Sequence, residues 1–297
     1  MMNKIQLPKT DFQIPEISLG CMSLPENAKE SMEIIHQALD SGINLLDTAD
    51  LYQKGINESN VGKAIAGRRD QVLISSKVGN EWRQDGSGWD WNPKKAYILN
   101  AVDESLKRLQ TDYLDVYLLH GGTIDDPWDE TLEAFEILKA KGKIRAFGIS
   151  SIRPNVVRHV LKKNPPALFM TQYSPLDRRP EESIFPMIEE RDSRVLVRGS
   201  LAKGILLDKP RKEYLNFSKA EVEEIREIIH GSGFDPQAVL IRFGLEEPAV
   251  ASLSVGASSV EQVSRLAKAY ALSREVPSTL IQDLRDRIPV SKYEAHR

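Results

Sequence analysis

Residues 44–52 read Asn-Leu-Leu-Asp-Thr-Ala-Asp-Leu-Tyr, and the rest of the chain is interpreted from this stretch. A short apolar run ends at the carboxylate Asp47, small residues follow, and Tyr52 comes five positions after the aspartate. An apolar run of this length, bounded by turn-forming residues, indicates a buried strand. The stretch therefore predicts a strand whose C-terminal end carries two ionisable side chains.

Two later stretches share this design. Residues 72–77 and residues 116–120 are apolar runs that end at Lys77 and His120, and helical sequence follows each of them. In a parallel barrel, the C-terminal ends of all strands meet on one face. We therefore expect both side chains to converge with the carboxylate and the tyrosine of residues 44–52 in an active site.

The whole chain repeats this alternation. Eight strand patterns alternate with helical patterns, a short hairpin over residues 4–14 precedes them, and a further helix over residues 278–287 follows them. Alternation implies parallel strands with right-handed crossovers. Eight units predict an α/β fold, a (β/α)8 TIM barrel with an N-terminal β-hairpin and an extra C-terminal helix, as a single domain over residues 1–297.

Composition narrows the classes of function. The chain has 297 residues, a net charge of −3 and one cysteine. The near-neutral charge does not favour nucleic acid or an anionic membrane as a partner. No apolar run approaches the roughly 20 residues that span a bilayer, and the N-terminus lacks the apolar segment of a signal peptide. These features favour a cytoplasmic protein without an intrachain disulfide.

Motifs for the usual nucleotide and metal sites are missing from the sequence. No Gly-x-Gly-x-x-Gly opens a helix after the first strand, and no Walker-type loop occurs, so a nucleotide would have to bind by another route. No His-x-His or His-Glu-x-x-His spacing occurs either. We therefore predict no metal site.

The four convergent residues suit acid–base chemistry at a carbonyl. A phenol has a pKa of about 10, and a nearby lysine favours the phenolate and lowers that value. An aspartate beside the lysine keeps it charged, and a histidine can hydrogen-bond a carbonyl oxygen. The set can protonate a carbonyl oxygen while a hydride reaches the carbon. The hydride has to come from a cofactor.

The sequence resembles that of an aldo-keto reductase of the bacterial stress- and sugar-associated branch. The tetrad of that family falls on Asp47, Tyr52, Lys77 and His120. The resemblance covers nearly the whole chain and includes residues 148–151, 172–176 and 201–206. It implies NADPH-dependent reduction of an aldehyde or ketone. Tyr52 would donate the proton, Lys77 would lower its pKa, Asp47 would support Lys77, and His120 would orient the carbonyl.

The resemblance also implies a cofactor path across the C-terminal face. Ser150 and Gln172 would hold the carboxamide of the nicotinamide, and Arg198 stands where many members stack an aromatic ring. The remaining positions implied are Cys21, Met22, Asp47, Ser151, Gly199, Leu201, Lys203, Gly204, Gly256, Ala257, Ser258, Gln262 and Arg265. Many members offer a lysine and an arginine to the 2′-phosphate, where this chain has Gly256 and Gln262. Ser258, Ser259 and Arg265 are alternative donors, so NADPH is expected and NADH stays possible.

Two further predictions concern the substrate side and the alternatives. A long loop is expected over residues 78–92, where Trp82 and Trp89 would wall a pocket for a small-molecule carbonyl substrate. An NADPH-binding regulatory or sensing subunit with little turnover is the alternative function, and a different barrel enzyme is a third reading. A monomer is expected, with an oligomer left open.

Overall fold

The architecture is an eight-stranded parallel barrel surrounded by helices. A computed structural model describes residues 2–297. The eight barrel strands are hydrogen-bonded side by side in chain order, and the last pairs with the first to complete the ring. The predicted TIM barrel is confirmed. The N-terminal hairpin and the helix after the last barrel unit are also present.

The elements have the following bounds in the part of the chain described. The strands are β1 (Lys4–Gln6), β2 (Gln13–Pro15), β3 (Ile17–Gly20), β4 (Leu45–Asp47), β5 (Leu73–Val78), β6 (Asn80–Trp82), β7 (Trp89–Trp91), β8 (Leu114–Leu119), β9 (Ile144–Ser150), β10 (Leu168–Gln172), β11 (Arg194–Arg198) and β12 (Val250–Gly256). The helices are α1 (Ala28–Asp40), α2 (Ile56–Ala64), α3 (Lys95–Leu109), α4 (Trp128–Ala140), α5 (Pro154–Lys163), α6 (Arg179–Glu189), α7 (Lys219–His230), α8 (Pro236–Leu245), α9 (Val260–Leu272) and α10 (Ser278–Arg287).

The hairpin β1–β2 closes the N-terminal end of the barrel. Leu7, Phe12 and Ile14 form one apolar cluster with side chains from the barrel interior, including Leu45 and Val116. A separate and larger apolar cluster lies between the barrel and the helices. With its floor filled by side chains, the barrel offers its open face only at the C-terminal ends of the strands.

Alternation along each strand decides which side chains reach that face. In β4, Leu45 belongs to the interior cluster and Leu46 packs against the helices, so Asp47 again points inward. In β5, Leu73 packs on the interior cluster and Ile74 on the outer one, which places Lys77 inside. Both ionisable side chains therefore lie in the uppermost layer of the barrel interior.

The expectation of a plain loop over residues 78–92 is wrong. Strand β5 continues to Val78, and β6 and β7 then form an antiparallel hairpin in which Asn80 pairs with Trp91 and Trp82 with Trp89. The aromatic and alternating residues of this segment favour a ladder over an irregular loop. The hairpin forms part of the wall around the open face. No helix within residues 2–297 is long and apolar enough to cross a membrane.

Candidate active site

The ammonium of Lys77 is the centre of the polar cluster in the barrel mouth. It donates hydrogen bonds to Asp47 Oδ2 (2.8 Å), to the carbonyl oxygen of Thr48 (2.8 Å) and to Tyr52 Oη (3.2 Å). The side chain of Lys77 is 1% exposed and that of Asp47 is 6% exposed. An ammonium has three protons to donate, so all three are satisfied. The tyrosine oxygen accepts from the lysine, which leaves its own proton free to face a ligand.

The pKa of Tyr52 does not follow the simple expectation from its neighbour. Burial raises the pKa of the Tyr52 phenol, and the positive charge of Lys77 opposes this without cancelling it. Lys77 acts to lower the pKa of Tyr52 as expected, but the net change in that pKa is upward. Burial also acts to lower the pKa of Lys77, yet the charges of Asp47 and Tyr52 outweigh it and raise that pKa. The cluster therefore holds a neutral phenol beside a charged ammonium.

His120 completes the cluster on the far side of the tyrosine. Its ring meets that of Tyr52 edge to face, with 5.9 Å between the ring centroids. Burial, together with the charges of Lys77 and Arg198, lowers the pKa of His120 to about 3. His120 Nδ1 is buried and has no hydrogen-bond partner among residues 2–297. A neutral imidazole can donate one hydrogen bond without adding charge.

The neutral state of His120 leads to a prediction about pH dependence. Because its pKa lies near 3, His120 does not titrate between pH 5 and pH 8, and kcat/KM for a non-ionising aldehyde is expected to show no acidic limb from this residue. The profile of the wild type is compared with that of His120→Gln. An inflection near pH 6.5 that disappears only in the variant would contradict a neutral histidine.

Trp91 supports the position of His120, a role that the sequence interpretation did not identify. A Cβ on Gly79 would lie 2.6 Å from the Trp91 ring, and one on Gly121 would lie 3.2 Å from it. The indole nitrogen donates to both carboxylate oxygens of Asp126, at 3.1 and 3.2 Å. Trp91 thus packs directly on the backbone beside His120. In the sequence, the only sign of this packing was a glycine shortly after each of two strands, Gly79 after β5 and Gly121 after β8.

Asp50 is a buried carboxyl group just outside the catalytic cluster. Burial, and then the negative charge of Glu58, raises the pKa of Asp50 to about 8. Glu58 already accepts hydrogen bonds from Arg108 (2.7 Å) and Ser76 (2.5 Å), whereas Asp50 Oδ1 has no partner within the described chain. The arginine thus pairs with Glu58, and Asp50, which has no ion-pair partner within residues 2–297, stays protonated at neutral pH.

This arrangement predicts a pH-dependent loss of stability. The folded protein keeps the Asp50 proton up to about pH 8, whereas an unfolded aspartate loses it near pH 4, so the free energy of unfolding falls as pH rises between these values. Asp50→Asn removes this dependence. We expect the variant to gain more than about 2 kcal/mol over the wild type between pH 5 and pH 9, measured by urea unfolding. An equal gain for the exposed Asp40→Asn would contradict the assignment.

Gln172 is the residue predicted to bind the carboxamide of the nicotinamide. Both the oxygen and the nitrogen of its side-chain amide are already hydrogen-bonded. Its Oε1 accepts from Arg198 (2.7 Å), and its Nε2 donates to Asp177 (2.9 Å) and Tyr214 (3.2 Å). Arg179 in turn holds Asp177 through two hydrogen bonds of 2.7 Å. The structure therefore places Arg198 directly beside Gln172 at the ends of β10 and β11. A nicotinamide carboxamide at Gln172 would replace some of these contacts.

The other predicted cofactor residues lie along the same face. Ser150 is the last residue of β9 and Ser151 follows it, and the residues from Gly199 to Gly204 follow β11. Met22 is 65% exposed after β3. Cys21 differs from this group because it is fully buried and its carbonyl oxygen accepts from Asn57 (2.8 Å). Its side chain has no free surface to offer a cofactor.

The adenosine end of the predicted path lies at the start of α9. Ser259 caps this helix, and Gln262 Oε1 accepts from the backbone N–H of Ser258 (2.9 Å). Arg265 forms an ion pair with Asp208 (2.8 Å), which joins the segment after β11 to α9. Gly256 is exposed, and Ala257 is buried beside it. Hydroxyl groups, backbone N–H groups and one arginine are therefore available here for a phosphate.

The face fits an extended, charged ligand. A cavity of ≈330 Å³ is lined by Gln172, Lys203, Lys212, Glu213, Tyr214 and Leu215. Three buried polar atoms around the mouth, Asp47 Oδ1, His120 Nδ1 and Ser200 Oγ, have no hydrogen-bond partner in residues 2–297. Buried polar groups are normally paired, so these three atoms are open to partners that a bound molecule supplies.

Trp82 and Trp89, the predicted substrate contacts, lie side by side across the hairpin. They face each other in the β6–β7 register, and Trp89 is 46% exposed. Paired residues of a ladder and those two positions away share one face, so both rings lie on the face that carries Trp91. That face looks toward Gly121, the neighbour of His120.

Comparisons with known proteins show the family to which this barrel is similar. The model of the aldo/keto reductase family matches residues 16–282. An uncharacterised oxidoreductase of Bacillus subtilis, YqkF, is 43% identical over 100% of both chains. The NADH-specific methylglyoxal reductase of Escherichia coli is 30% identical over 72% of each chain. The structure of aldo-keto reductase AKR11C1 from Bacillus halodurans, in its holo form, superposes with a TM-score of 0.93 at 45% identity over 100% of both chains.

Proposed function

This chain belongs to the aldo/keto reductase family of NAD(P)H-dependent oxidoreductases, and we propose that it reduces an aldehyde or ketone to an alcohol with Tyr52 as the general acid. One observation carries the proposal. Lys77 Nζ bonds Asp47, Thr48 and Tyr52 at once, so the phenol oxygen is an acceptor toward the lysine and its proton is directed to the mouth.

In the proposed reaction, each residue of the cluster has one role. A bound nicotinamide supplies the hydride. The carbonyl oxygen of the substrate accepts hydrogen bonds from the Tyr52 hydroxyl and from neutral His120. As negative charge develops on that oxygen, the Tyr52 proton transfers to it, and the Lys77 ammonium stabilises the phenolate that remains. Asp47 keeps the ammonium charged and fixed in place.

The raised pKa of Tyr52 is consistent with this role. A phenol that keeps its proton at neutral pH is available as a donor, and the Lys77 ammonium lies 3.2 Å from its oxygen when charge develops there. The ion pair with Asp47 is buried, so it is screened little by solvent. The cluster is therefore set to stabilise charge that appears during the reaction.

For the cofactor, we favour NADPH over NADH. Arg265, Ser258 and Ser259 are the donors near the start of α9, and charge-assisted bonds from arginine are strong contacts for phosphate. The relative from E. coli is named as NADH-specific, so NADH use occurs among the relatives of this chain. In this chain Arg265 would have to exchange Asp208 for the 2′-phosphate.

Arg265→Met tests the assignment of NADPH. Loss of a charged hydrogen bond to the 2′-phosphate is expected to raise the Kd of NADPH about tenfold, while the Kd of NADH changes less than about twofold. Quenching of protein fluorescence measures both constants. Lys268→Met, an exposed change of equal charge on the same helix, is the control. Parallel weakening of both cofactors in Arg265→Met would rule out a role in recognising the phosphate.

The proposed activity is tested by titrating the purified protein with NADPH and NADH and then adding a panel of aldehydes. Tight binding followed by oxidation of the cofactor is the expected result. Binding without turnover across the panel would favour the alternative, an NADPH-binding regulatory or sensing subunit. The hydrogen bond from Arg198 to Gln172 supports that alternative, because it competes with binding of the nicotinamide carboxamide at Gln172.

The remaining proposals concern the setting of this enzyme. We place the activity in a cytoplasmic, single-domain monomer that acts on a small carbonyl compound and needs neither nucleic acid nor a membrane. The net charge of −3 and the single barrel support this setting. Sedimentation of the purified protein gives its oligomeric state directly.

A further inference from the structure

An unusual turn follows the catalytic tyrosine. Gln53 (φ 51°, ψ 36°), Lys54 (φ 52°, ψ 40°) and Gly55 (φ 85°) lie in succession in the left-handed region. For a residue with a Cβ, this conformation costs about 1 kcal/mol or more and persists only where the surroundings enforce it. Strain of this kind concentrates at ligand sites. The turn therefore calls for a physical explanation.

Neighbouring contacts hold the turn in place. The side-chain amide nitrogen Nε2 of Gln53 donates to the carbonyl oxygen of Leu24 (2.8 Å). A Cβ at Gly55 would lie 2.7 Å from Arg108 Cδ, so only glycine fits there. Because the residues on both sides are fixed, the backbone of Lys54 is fixed too and its side chain leaves the turn in a defined direction. The side chain of an exposed lysine in a flexible loop would have no such fixed direction.

The turn directs Lys54 onto the tryptophan that lines the mouth. Lys54 Nζ lies 5.2 Å from the centroid of the Trp82 ring, and a Cβ on Gly86, in the turn of the same hairpin, would lie 3.6 Å from this ammonium. Lys54 is exposed and has no ion-pair partner within residues 2–297. By contrast, Arg83 on the same hairpin is neutralised by Asp90 (2.6 Å).

A second observation points to a ligand site at this place. Trp82 Nε1 is a buried donor without an acceptor among the described residues. A buried N–H left unpaired costs about 1–3 kcal/mol, so an acceptor is expected to reach it. An anionic group satisfies the free ammonium and the free N–H together.

We propose that Lys54 and Trp82 form a subsite for an anionic group of the substrate, so that the preferred substrates are aldehydes or ketones that carry a carboxylate or a phosphate. This inference rests on the proposed function, because it names the class of substrate at the same site. The carbonyl lies between Tyr52 and His120, and the anion lies on the hairpin side of the mouth. Lys54 selects the substrate and takes no part in the chemistry.

Matched pairs of substrates test the subsite. Reduction of 4-oxobutanoate and of 4-formylbenzoate is compared with that of their neutral methyl esters. In Lys54→Met, KM is expected to rise about threefold to fivefold for at least one acid and to stay within about twofold for the esters, the size of effect typical of an exposed charge pair. Lys54→Arg keeps the charge and is expected to restore KM. Added salt narrows the difference between acid and ester in the wild type.

Lys63→Met is the matched control. Lys63 is also exposed, and it lies in the last turn of α2, away from the C-terminal face. The same rise in KM in this control, or equal changes for acids and esters in Lys54→Met, would overturn the subsite while leaving the reductase in place. If the wild type oxidises NADPH with neither the acids nor the esters, the proposed function fails and the subsite fails with it.

Discussion

Replacing Tyr52 with phenylalanine is expected to lower kcat for aldehyde reduction by about 10²- to 10⁴-fold, the usual contribution of a positioned general acid. Phenylalanine keeps the ring that packs edge to face on His120 and removes only the hydroxyl. Cofactor binding does not depend on this hydroxyl in the proposed mechanism. The Kd of NADPH is therefore expected to stay within about twofold of the wild type.

Steady-state kinetics and a fluorescence titration on the same preparation separate the two quantities. Tyr113→Phe is the control, because Tyr113 lies just before β8, at the opposite end of the barrel, where Arg69 stacks on its ring. Turnover of Tyr52→Phe close to that of the wild type would exclude Tyr52 as the acid. Loss of cofactor binding along with turnover would instead indicate a structural role.

The second large effect is expected from Lys77→Met. This change leaves Asp47 buried without its partner, and removing one member of a buried ion pair costs about 3–5 kcal/mol. It also removes the charge that stabilises a Tyr52 phenolate. The variant is therefore expected to lose turnover and to unfold at clearly lower urea concentration than the wild type.

A double variant distinguishes the loss of turnover from the loss of stability. In Asp47→Asn/Lys77→Met neither of these two positions carries a buried charge, so part of the stability is expected to return, while turnover stays absent because the ammonium is still missing. The double variant also provides a folded sample if the single one aggregates. Equal unfolding midpoints for the wild type and Lys77→Met would contradict the description of a buried, mutually dependent pair.

The barrel and its catalytic face were predictable because they follow from local patterns. Period-two alternation decides which side of a strand each residue faces, and strand–helix alternation makes the strands parallel. Knowing only these patterns, one can place Asp47 and Lys77 on one face and bring Tyr52 and His120 to them. The structure gathers these four side chains as expected, while their catalytic roles stay predictions.

The hairpin β6–β7 shows the limit of such patterns. Two strands of three residues each are too short for periodicity to distinguish them from a loop, and their pairing depends on contacts with the barrel mouth. The packing of Trp91 on Gly79 and Gly121 is a contact between three separate segments. No sequence window contains all three.

By itself, the sequence determined the barrel, the strand ends that carry ionisable groups and the family resemblance. Only the tertiary structure decided how these groups behave. Burial outweighs Lys77 and keeps the Tyr52 proton in place, burial and the charge of Glu58 keep Asp50 protonated, and a locked turn places Lys54 over Trp82. The physical reason is that desolvation and charge–charge energies depend on distances between residues far apart in the chain, which local sequence patterns do not contain.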